Sequence, residues 1–291
     1  LYHIGIPFSG AMDKRNYLLA NNLVSNRSDF PIIEFAYQGP LMKYKGDNIS
    51  FVITGDVTFQ IKKKNSLVNG NCYETYVLED EDEIDIISTN KSVYGYLAIG
   101  GKFFLKSQWK SYSTNTKANV GSNNGMKLQK GQEILISKIN PNQTKKKLDY
   151  INTKIEKIRV IKGTNFNYFS DDAKNDFFKK EFIVSKLSDR MGMRLEGLKI
   201  KNIVNTNIKS EGLIKGVIQI PADGNPIIML SDHGTIGGYP KIGVVISADY
   251  DKLIQLPPGS KIKFEEIKLN DAENLFKLYD IETQNLISRL K

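Results

Sequence analysis

Asp232 and His233 open the stretch SDHGTIGGYPKI (231–242), a few residues ahead of Gly237, Gly238, Tyr239 and Pro240. His233 is one of only two histidines in the chain. A histidine can shuttle protons near neutral pH, and a neighbouring carboxylate such as Asp232 can orient the ring or hold a cation. Gly237 and Gly238 permit close backbone approach by a substrate or carried group, and Tyr239-Pro240 fixes the exit of the chain. The same residues also suit a structural histidine at the end of a strand, and their types alone leave both readings open.

Two further stretches carry chemistry. SDRMGMRLEG (188–197) holds Ser188, Asp189, Arg190, Arg194 and Glu196. Arg190 and Arg194 can form a planar fork for an anionic group, which lysine serves less specifically. The alternative is a surface ion-pair cluster beside a strand. Ser188 supplies a hydroxyl, and with Asp232 it is the next catalytic candidate should His233 be scaffold. GIPFSGAMD (5–13) places Ser9 and a glycine just ahead of a helix, where a hydroxyl and free backbone N–H groups can receive a carboxylate or phosphate. Simple helix capping by Asp13 explains part of that pattern.

Other devices are missing. No two glycines are separated by a single residue, which excludes a G-x-G-x-x-G loop. GYLAIGGKF (95–103) has the wrong glycine spacing for a P-loop and Phe103 where a hydroxyl belongs. Two histidines and one cysteine cannot build a zinc site alone, so no metal is expected. LMKYKG (41–46) resembles a biotin-acceptor Met-Lys but lacks the following Met, and reads as a turn lysine.

The elements that must position these residues are mostly short strands. Asp13 reads as the N-cap of a helix through DKRNYLLANNLVSN, with an apolar face at helical spacing. PIIEFAY, NISFVITG, VTFQIKK, YETYVLE, EIDIIS and SVYGYLAIGG follow, punctuated by Gly, Asn and Asp, the texture of a sandwich or barrel. Residues 107–131 read as a long loop. A polar segment at 140–155, with Lys145-Lys146-Lys147, reads as a solvated linker and divides the chain into residues 1–150 and 151–291. The second half contains the strands EKIRVIKG, EFIVSK, GVIQI, PIIML, IGVVI and SKIKFEEI. Its helices are SDDAKNDFFKK, capped by Ser170 or Asp171, SADYDKLIQL, and a C-terminal helix beginning near Asn270. Parallel βαβ alternation is absent, so a mainly β protein with two β-rich halves and a few helices is expected.

Composition narrows the setting. With 291 residues, 40% hydrophobic and 25% charged, the chain can bury a sizeable core. No apolar run approaches the ~20 residues of a membrane span. The net charge of +9 is spread along the chain; the tight runs, Lys62-Lys63-Lys64 and Lys145-Lys146-Lys147, read as a hairpin turn and the linker. Nucleic acid is therefore not an expected partner. One cysteine, Cys72, excludes an internal disulfide framework and suits a reducing cytoplasm. The N-terminus has neither a signal-peptide pattern nor an initiator Met, and a start inside a longer gene product is expected.

From GIPFSGAMDKRNYLLANNLVSN through LSDRMGMRLEG and SEGLIKGVIQIPADGNPIIMLSDHGTIGGYPKIGVVISADYDKLIQLPPG, the chain resembles the C-subunit family of bacterial 5-oxoprolinase. That family is also described as allophanate hydrolase subunit 2-like or biotin-dependent carboxyltransferase-like. The resemblance runs to about residue 267; it implies a strand ahead of the present start, and the C-terminal helix is an addition. It further implies two cyclophilin-like β-barrel domains and a complex in which the partners are B-type and A-type 5-oxoprolinase subunits. Such a complex is an ATP-dependent amidohydrolase that opens 5-oxo-L-proline to L-glutamate. Related domains form the carboxyltransferase part of urea carboxylase, taking carboxyl from biotin on another chain, and another relative modulates a sporulation kinase inhibitor. Expected site residues are His233, Asp232 and Ser188 for catalysis and Arg190, Arg194, Ser9, Tyr239, Gly237 and Gly238 for a small-molecule substrate. The chain departs from the family in its long loop. Tyr112 and Met126 stand where relatives commonly carry arginine, which bears on substrate choice if those arginines hold an anion.

Overall fold

In the computed structural model, which describes residues 2–138, 144–150, 155, 157–204 and 207–290, the chain divides into two units. One consists of Asp13–Asn152 with Glu282–Lys291, the other of Leu1–Met12 with Thr153–Ile281. The chain ends thus cross the expected division at 150. The cause is local bonding. Ser9 donates its N–H to the Ser231 carbonyl at 3.1 Å, and Arg15 Nε donates to Thr283 Oγ1 at 2.9 Å.

The first unit is built from two four-stranded sheets. One orders Ile33–Ala36, Tyr94–Ile99, Ile49–Thr54 and Tyr76–Leu78; the other orders Leu41–Lys43, Glu83–Thr89, Val57–Lys63 and Ser66–Asn69. They share one core, in which Phe51, Ile53 and Leu97 of the first sheet join Phe59, Ile61 and Ile86 of the second. Ile49–Thr54 and Tyr94–Ile99 are buried along their whole lengths, since α1 (Lys14–Leu23) packs on both. Strands covered on two faces read as continuous apolar runs, as FVIT and YLAI do. Asp13 caps α1 as expected, accepting the Asn16 N–H at 2.9 Å, while its own N–H reaches the Tyr96 hydroxyl at 2.7 Å.

In the second unit seven strands close into a barrel. Their order is Lys157–Lys162, Lys241–Val245, Val217–Gln219, Ile227–Met229, Gly192–Gly197, Glu181–Val184 and Lys261–Glu266, and the last pairs in parallel with the first. Ile158 and Val160, Phe182 and Val184, and Ile262 and Phe264 are buried at every second position, the period of a strand with one face inward. Ser170 caps α2 (Asp171–Lys179) by accepting the Ala173 N–H at 3.2 Å. Phe177 of α2 stacks on Phe264 at 4.5 Å between ring centres. Of α3 (Ser247–Leu253), the fully buried Asp249 accepts both the N–H and Nε of Arg159, at 2.8 and 3.0 Å. α4 (Leu269–Ser288) starts one residue before Asn270, so the expected capping box lies inside the helix. No helix among the described residues is long and apolar enough to cross a membrane.

Three local expectations change. The long loop contains a small hairpin, Thr114–Asn115 with Val120–Gly121, followed by a 3₁₀ turn at Ser122–Gly125. Lys62 and Lys63 belong to a strand, and the turn falls after them. At Lys145-Lys146-Lys147 the side chains of Lys145 and Lys147 are solvated as expected, but the backbone is held: Thr75 donates its N–H to the Lys146 carbonyl, Lys146 donates its N–H to Thr75 Oγ1, and Lys145 pairs with Glu74 at 3.1 Å. Of the expected linker at 140–155, residues 140–143 and 151–154 lie outside the described residues.

Phe177→Ala removes a fully buried ring from the barrel core and is expected to cost about 3–5 kcal/mol of unfolding free energy. Denaturant titration checks this, and a cost under about 1 kcal/mol would contradict the placement of the ring.

Candidate functional site

Site geometry begins where the buried strand Ile227–Met229 leaves the barrel. Its continuation runs beside the turn after Ser188: Leu230 donates its N–H to the Met191 carbonyl at 3.0 Å and Asp232 donates to the Arg190 carbonyl at 2.9 Å. The backbones are thus in register before any side chain acts. Arg190 then grips Asp232 with two bonds, Nε to Oδ2 at 2.8 Å and Nη2 to Oδ1 at 3.1 Å. The same Nη2 donates to the Gly10 carbonyl at 2.7 Å. Ser9, in the left-handed backbone region at φ 51°, is held by its bond to Ser231. The three stretches singled out by composition therefore meet at one place.

His233 is 3% exposed. Its Nδ1 lies 2.6 Å from the Gly234 carbonyl oxygen, which can only accept, so the proton resides on Nδ1. Nε2 is left with a lone pair, and among the described residues nothing hydrogen-bonds to it. Tyr2 presents its ring edge-on to the imidazole at 6.2 Å, stacks on Phe8 at 5.0 Å, and donates its hydroxyl to the Leu213 carbonyl. Burial pushes the imidazole below the ordinary histidine range, against the Gly234 carbonyl and Asp232, which favour the cation; Lys215 adds to the depression. A neutral ring with Nε2 as acceptor is a proton acceptor at neutral pH.

The other expected residues lie differently. Ser188 spends its hydroxyl on its own turn, donating to the Ser185 carbonyl at 2.9 Å and accepting the Arg194 N–H at 3.0 Å. The Arg194 side chain is exposed on its strand, without the bond to Asp232 that Arg190 makes. Gly237 and Gly238 belong to a short ladder with residues 208–212. A Cβ on Gly237 would meet Gln219 Nε2 at 2.6 Å, and one on Gly238 would meet the Ile208 carbonyl at 3.0 Å. The room expected there for a substrate is filled by the chain's own atoms. Tyr239 is partly exposed, and its carbonyl accepts from Gln219 Nε2 at 3.2 Å. Sequence reasoning missed the buried Lys241, bonded to Glu211 at 2.9 Å, together with Tyr2, Lys215 and Tyr250. The only signal for Lys241 was its place one residue after the Tyr-Pro pair.

Among the described residues no group of three or more His, Cys, Asp or Glu side chains is arranged to hold a metal ion. The space beside Gly100 is taken by Ser50 Oγ, 2.2 Å from where a Cβ would stand, so this glycine packs a side chain rather than cradling a phosphate. Lys43 of the biotin-acceptor-like stretch is ion-paired with Glu81 at a strand end. In the long loop, the Tyr112 hydroxyl accepts from Lys102 Nζ at 2.6 Å, and Met126 is exposed.

A closed seven-stranded barrel and a two-sheet β unit, with a histidine at a strand exit, define a mainly β protein of the carboxyltransferase-like kind. Residues 4–266 match the carboxyltransferase domain, subdomains A and B, and the chain belongs to that family. It is 29% identical over 281 residues to the C subunit of 5-oxoprolinase from Haemophilus influenzae, covering 97% of this chain and 89% of that protein. Against the urea amidolyase of Saccharomyces cerevisiae it is 26% identical, covering 98% of this chain but 16% of that protein. The crystal structure of Kluyveromyces lactis urea carboxylase superimposes with a TM-score of 0.88 at 25% identity, over 98% of this chain and 27% of that one.

The Arg190 grip generates two predictions. Arg190→Met strands a buried carboxylate and should cost roughly 2–4 kcal/mol, somewhat below the loss of a fully buried pair because the guanidinium is partly exposed. Arg190→Lys should also lower the melting temperature, since an ammonium cannot keep both carboxylate bonds and the Gly10 bond. An unchanged melting temperature in both variants would show that the grip holds nothing. His233 sets the pH dependence. Its folded value lies below the unfolded one, so the unfolded chain binds the proton more readily and stability falls as pH drops below about 6.5. His233→Gln should flatten that part of a stability–pH curve.

Proposed function

We propose that this chain is the C subunit of a cytoplasmic 5-oxoprolinase-type complex, opening 5-oxo-L-proline to L-glutamate with ATP alongside A-type and B-type partner subunits. The observation that carries the reading is the end-to-end match to a free-standing relative: 97% of this chain pairs with 89% of the Haemophilus influenzae 5-oxoprolinase C subunit. Lactam opening adds water at the carbonyl carbon and breaks the C–N bond, so a proton leaves the water and one reaches the departing nitrogen. ATP supplies activation of the amide carbonyl. His233 Nε2 is the group suited to take the water's proton and return it to the nitrogen. Asp232 and Arg190 hold the backbone turn that aims the ring. ATP binding is assigned to the partners, in keeping with the filled space at Gly100.

A second reading is favoured by the family and by the urea carboxylase likeness: a carboxyltransferase component that takes carboxyl from biotin carried on another chain. The same neutral imidazole serves it, accepting a proton from the amide nitrogen that receives the carboxyl group and returning it to the biotin nitrogen whose bond to that carboxyl group breaks.

Reconstitution with the A-type and B-type partners separates the two. Glutamate release from 5-oxoproline that requires both ATP and this chain is the expected result, with negligible turnover by the chain alone. Carboxyl transfer from carboxybiotin instead would establish the second reading, and partner binding with neither activity would make the chain a regulatory binder. In the active complex, His233→Gln should lower kcat by roughly 10²–10⁴-fold without loss of assembly. A rise in KM alone would reduce His233 to positioning.

A further inference from the structure

A carboxylate beside a histidine is a common means of orienting its ring, and Asp232 stands next to His233 in the chain. Its two oxygens are taken by Arg190 instead, and Nδ1 of His233 goes to the Gly234 carbonyl at 2.6 Å. One hydrogen bond fixes one atom of the imidazole and leaves its plane free to turn. The second contact comes from Tyr2, whose ring meets the imidazole at 6.2 Å between centres and 69° between planes. Tyr2 is held in turn from three directions. Phe8 stacks on its ring at 5.0 Å, its hydroxyl donates to the Leu213 carbonyl, and its own carbonyl accepts the Gly5 N–H at 3.0 Å. Leu213 donates its N–H to the Thr235 carbonyl at 3.0 Å, and Ser9 donates to the Ser231 carbonyl at 3.1 Å. The first segment of the chain is thus tied to both ends of the stretch 231–235, with His233 at its middle.

We infer that Tyr2 is the positioning residue of this site: its ring fixes the plane of the His233 imidazole and keeps water from it. The value of this for catalysis rests on the reading of His233 as the base, while the contact itself rests on geometry alone. A phenol shields the imidazole without adding a charge, whereas a carboxylate in the same place would stabilise the imidazolium. Burial holds the Tyr2 hydroxyl above its ordinary range, so it stays neutral wherever a histidine titrates. The charged groups that act on the imidazole are Asp232, which favours the cation, and Lys215, which opposes it. Both belong to other segments, and a change at Tyr2 leaves them in place. Water admitted by loss of the ring solvates the imidazolium and raises the proton affinity of His233.

Proton NMR titration of the full chain tests the contact without partner subunits. The chain has two histidines, and the signal lost in His233→Gln is that of His233. Tyr2→Leu should raise the proton affinity of His233 by about threefold or more, whereas Tyr2→Phe, which keeps the ring, should titrate close to the wild type. An unmoved titration in Tyr2→Leu, or an equal shift in Tyr2→Phe, overturns the assignment to the ring. If Tyr2→Leu does not fold, Phe8→Ala decides: Phe8 is 80% exposed, and its loss removes the ring stacked on Tyr2. That variant should shift the titration in the same direction by less, and no shift overturns the inference. In the reconstituted complex, the fall of kcat/KM toward acid pH should move to higher pH in Tyr2→Leu and return in Tyr2→Phe. The plateau should drop by about tenfold or less, short of the loss in His233→Gln. A shifted NMR titration with an unmoved acid limb overturns the part of Tyr2 in catalysis. A wild-type complex that opens no 5-oxoproline sinks the 5-oxoprolinase reading instead, and the NMR titration still decides the contact.

Discussion

The site depends on a paired charge that is nearly removed from water. Asp232 is 4% exposed, and an ionised carboxylate at that depth is tolerated only when its oxygens are satisfied. Arg190 satisfies both oxygens and then reaches the Gly10 carbonyl. One guanidinium therefore joins the turn after Ser188, the exit of the Ile227–Met229 strand and the segment that begins the chain. Because the first two are already aligned by backbone bonds, the side-chain grip adds rigidity rather than fold. The planar fork matters more than the charge alone, since three acceptors in fixed directions need three directed N–H groups.

The barrel explains why this happens at a strand end. Inside it, alternate residues are apolar and the backbone is paired strand to strand, which leaves no place for a reactive side chain. Where Ile227–Met229 runs out, the chain must turn, and polar side chains there meet those from neighbouring turns. The short ladder between 208–212 and 236–238 closes one side of this exit. Its glycines let two backbones and the Gln219 side chain come together, so their function is packing beside the site. The buried Lys241–Glu211 bond pins the ladder to the barrel strand that follows it.

Much of the fold is legible in the sequence because period and punctuation are local properties. The alternation in KIRVIK and KIKFEE matches one-faced strands, the run FVIT matches a strand covered on two faces, and Asp13 and Ser170 are readable as caps. The density of polar residues draws attention to 5–13, 188–197 and 231–242, which do converge. What composition cannot reveal is the pairing within them. Arg190 and Asp232 are 42 residues apart, and nothing in the spelling of either stretch says that one consumes the other's charge. The backbone pairing of the lysine run at 145–147 is hidden for the same reason: its partners Glu74 and Thr75 lie some 70 residues earlier. Lys215 and Tyr250 are invisible as a pair, being unexceptional surface and helix residues until the barrel brings them together.

His233, the proposed proton shuttle, shows how the scaffold tunes a side chain for the chemistry of either proposed reaction. Opening a lactam and carboxylating an amide each need a base that is unprotonated at neutral pH, and an exposed imidazole is already only partly protonated there. Burial depresses it further, so the ring rests in its neutral form. Part of that burial comes from Tyr2, which the chain's first segment lays across the imidazole, and the Gly10–Arg190 bond anchors the same segment. The Gly234 carbonyl acts in the opposite direction, since its bond to Nδ1–H stabilises the imidazolium that forms once Nε2 has taken a proton. A base that is neutral at rest yet supported when charged is what a proton shuttle needs. The grip on Asp232 and the basicity of His233 are therefore one property of the fold: loosening the N-terminal segment wets the imidazole, raises its proton affinity and takes it out of the reactive form at the acid end of its range.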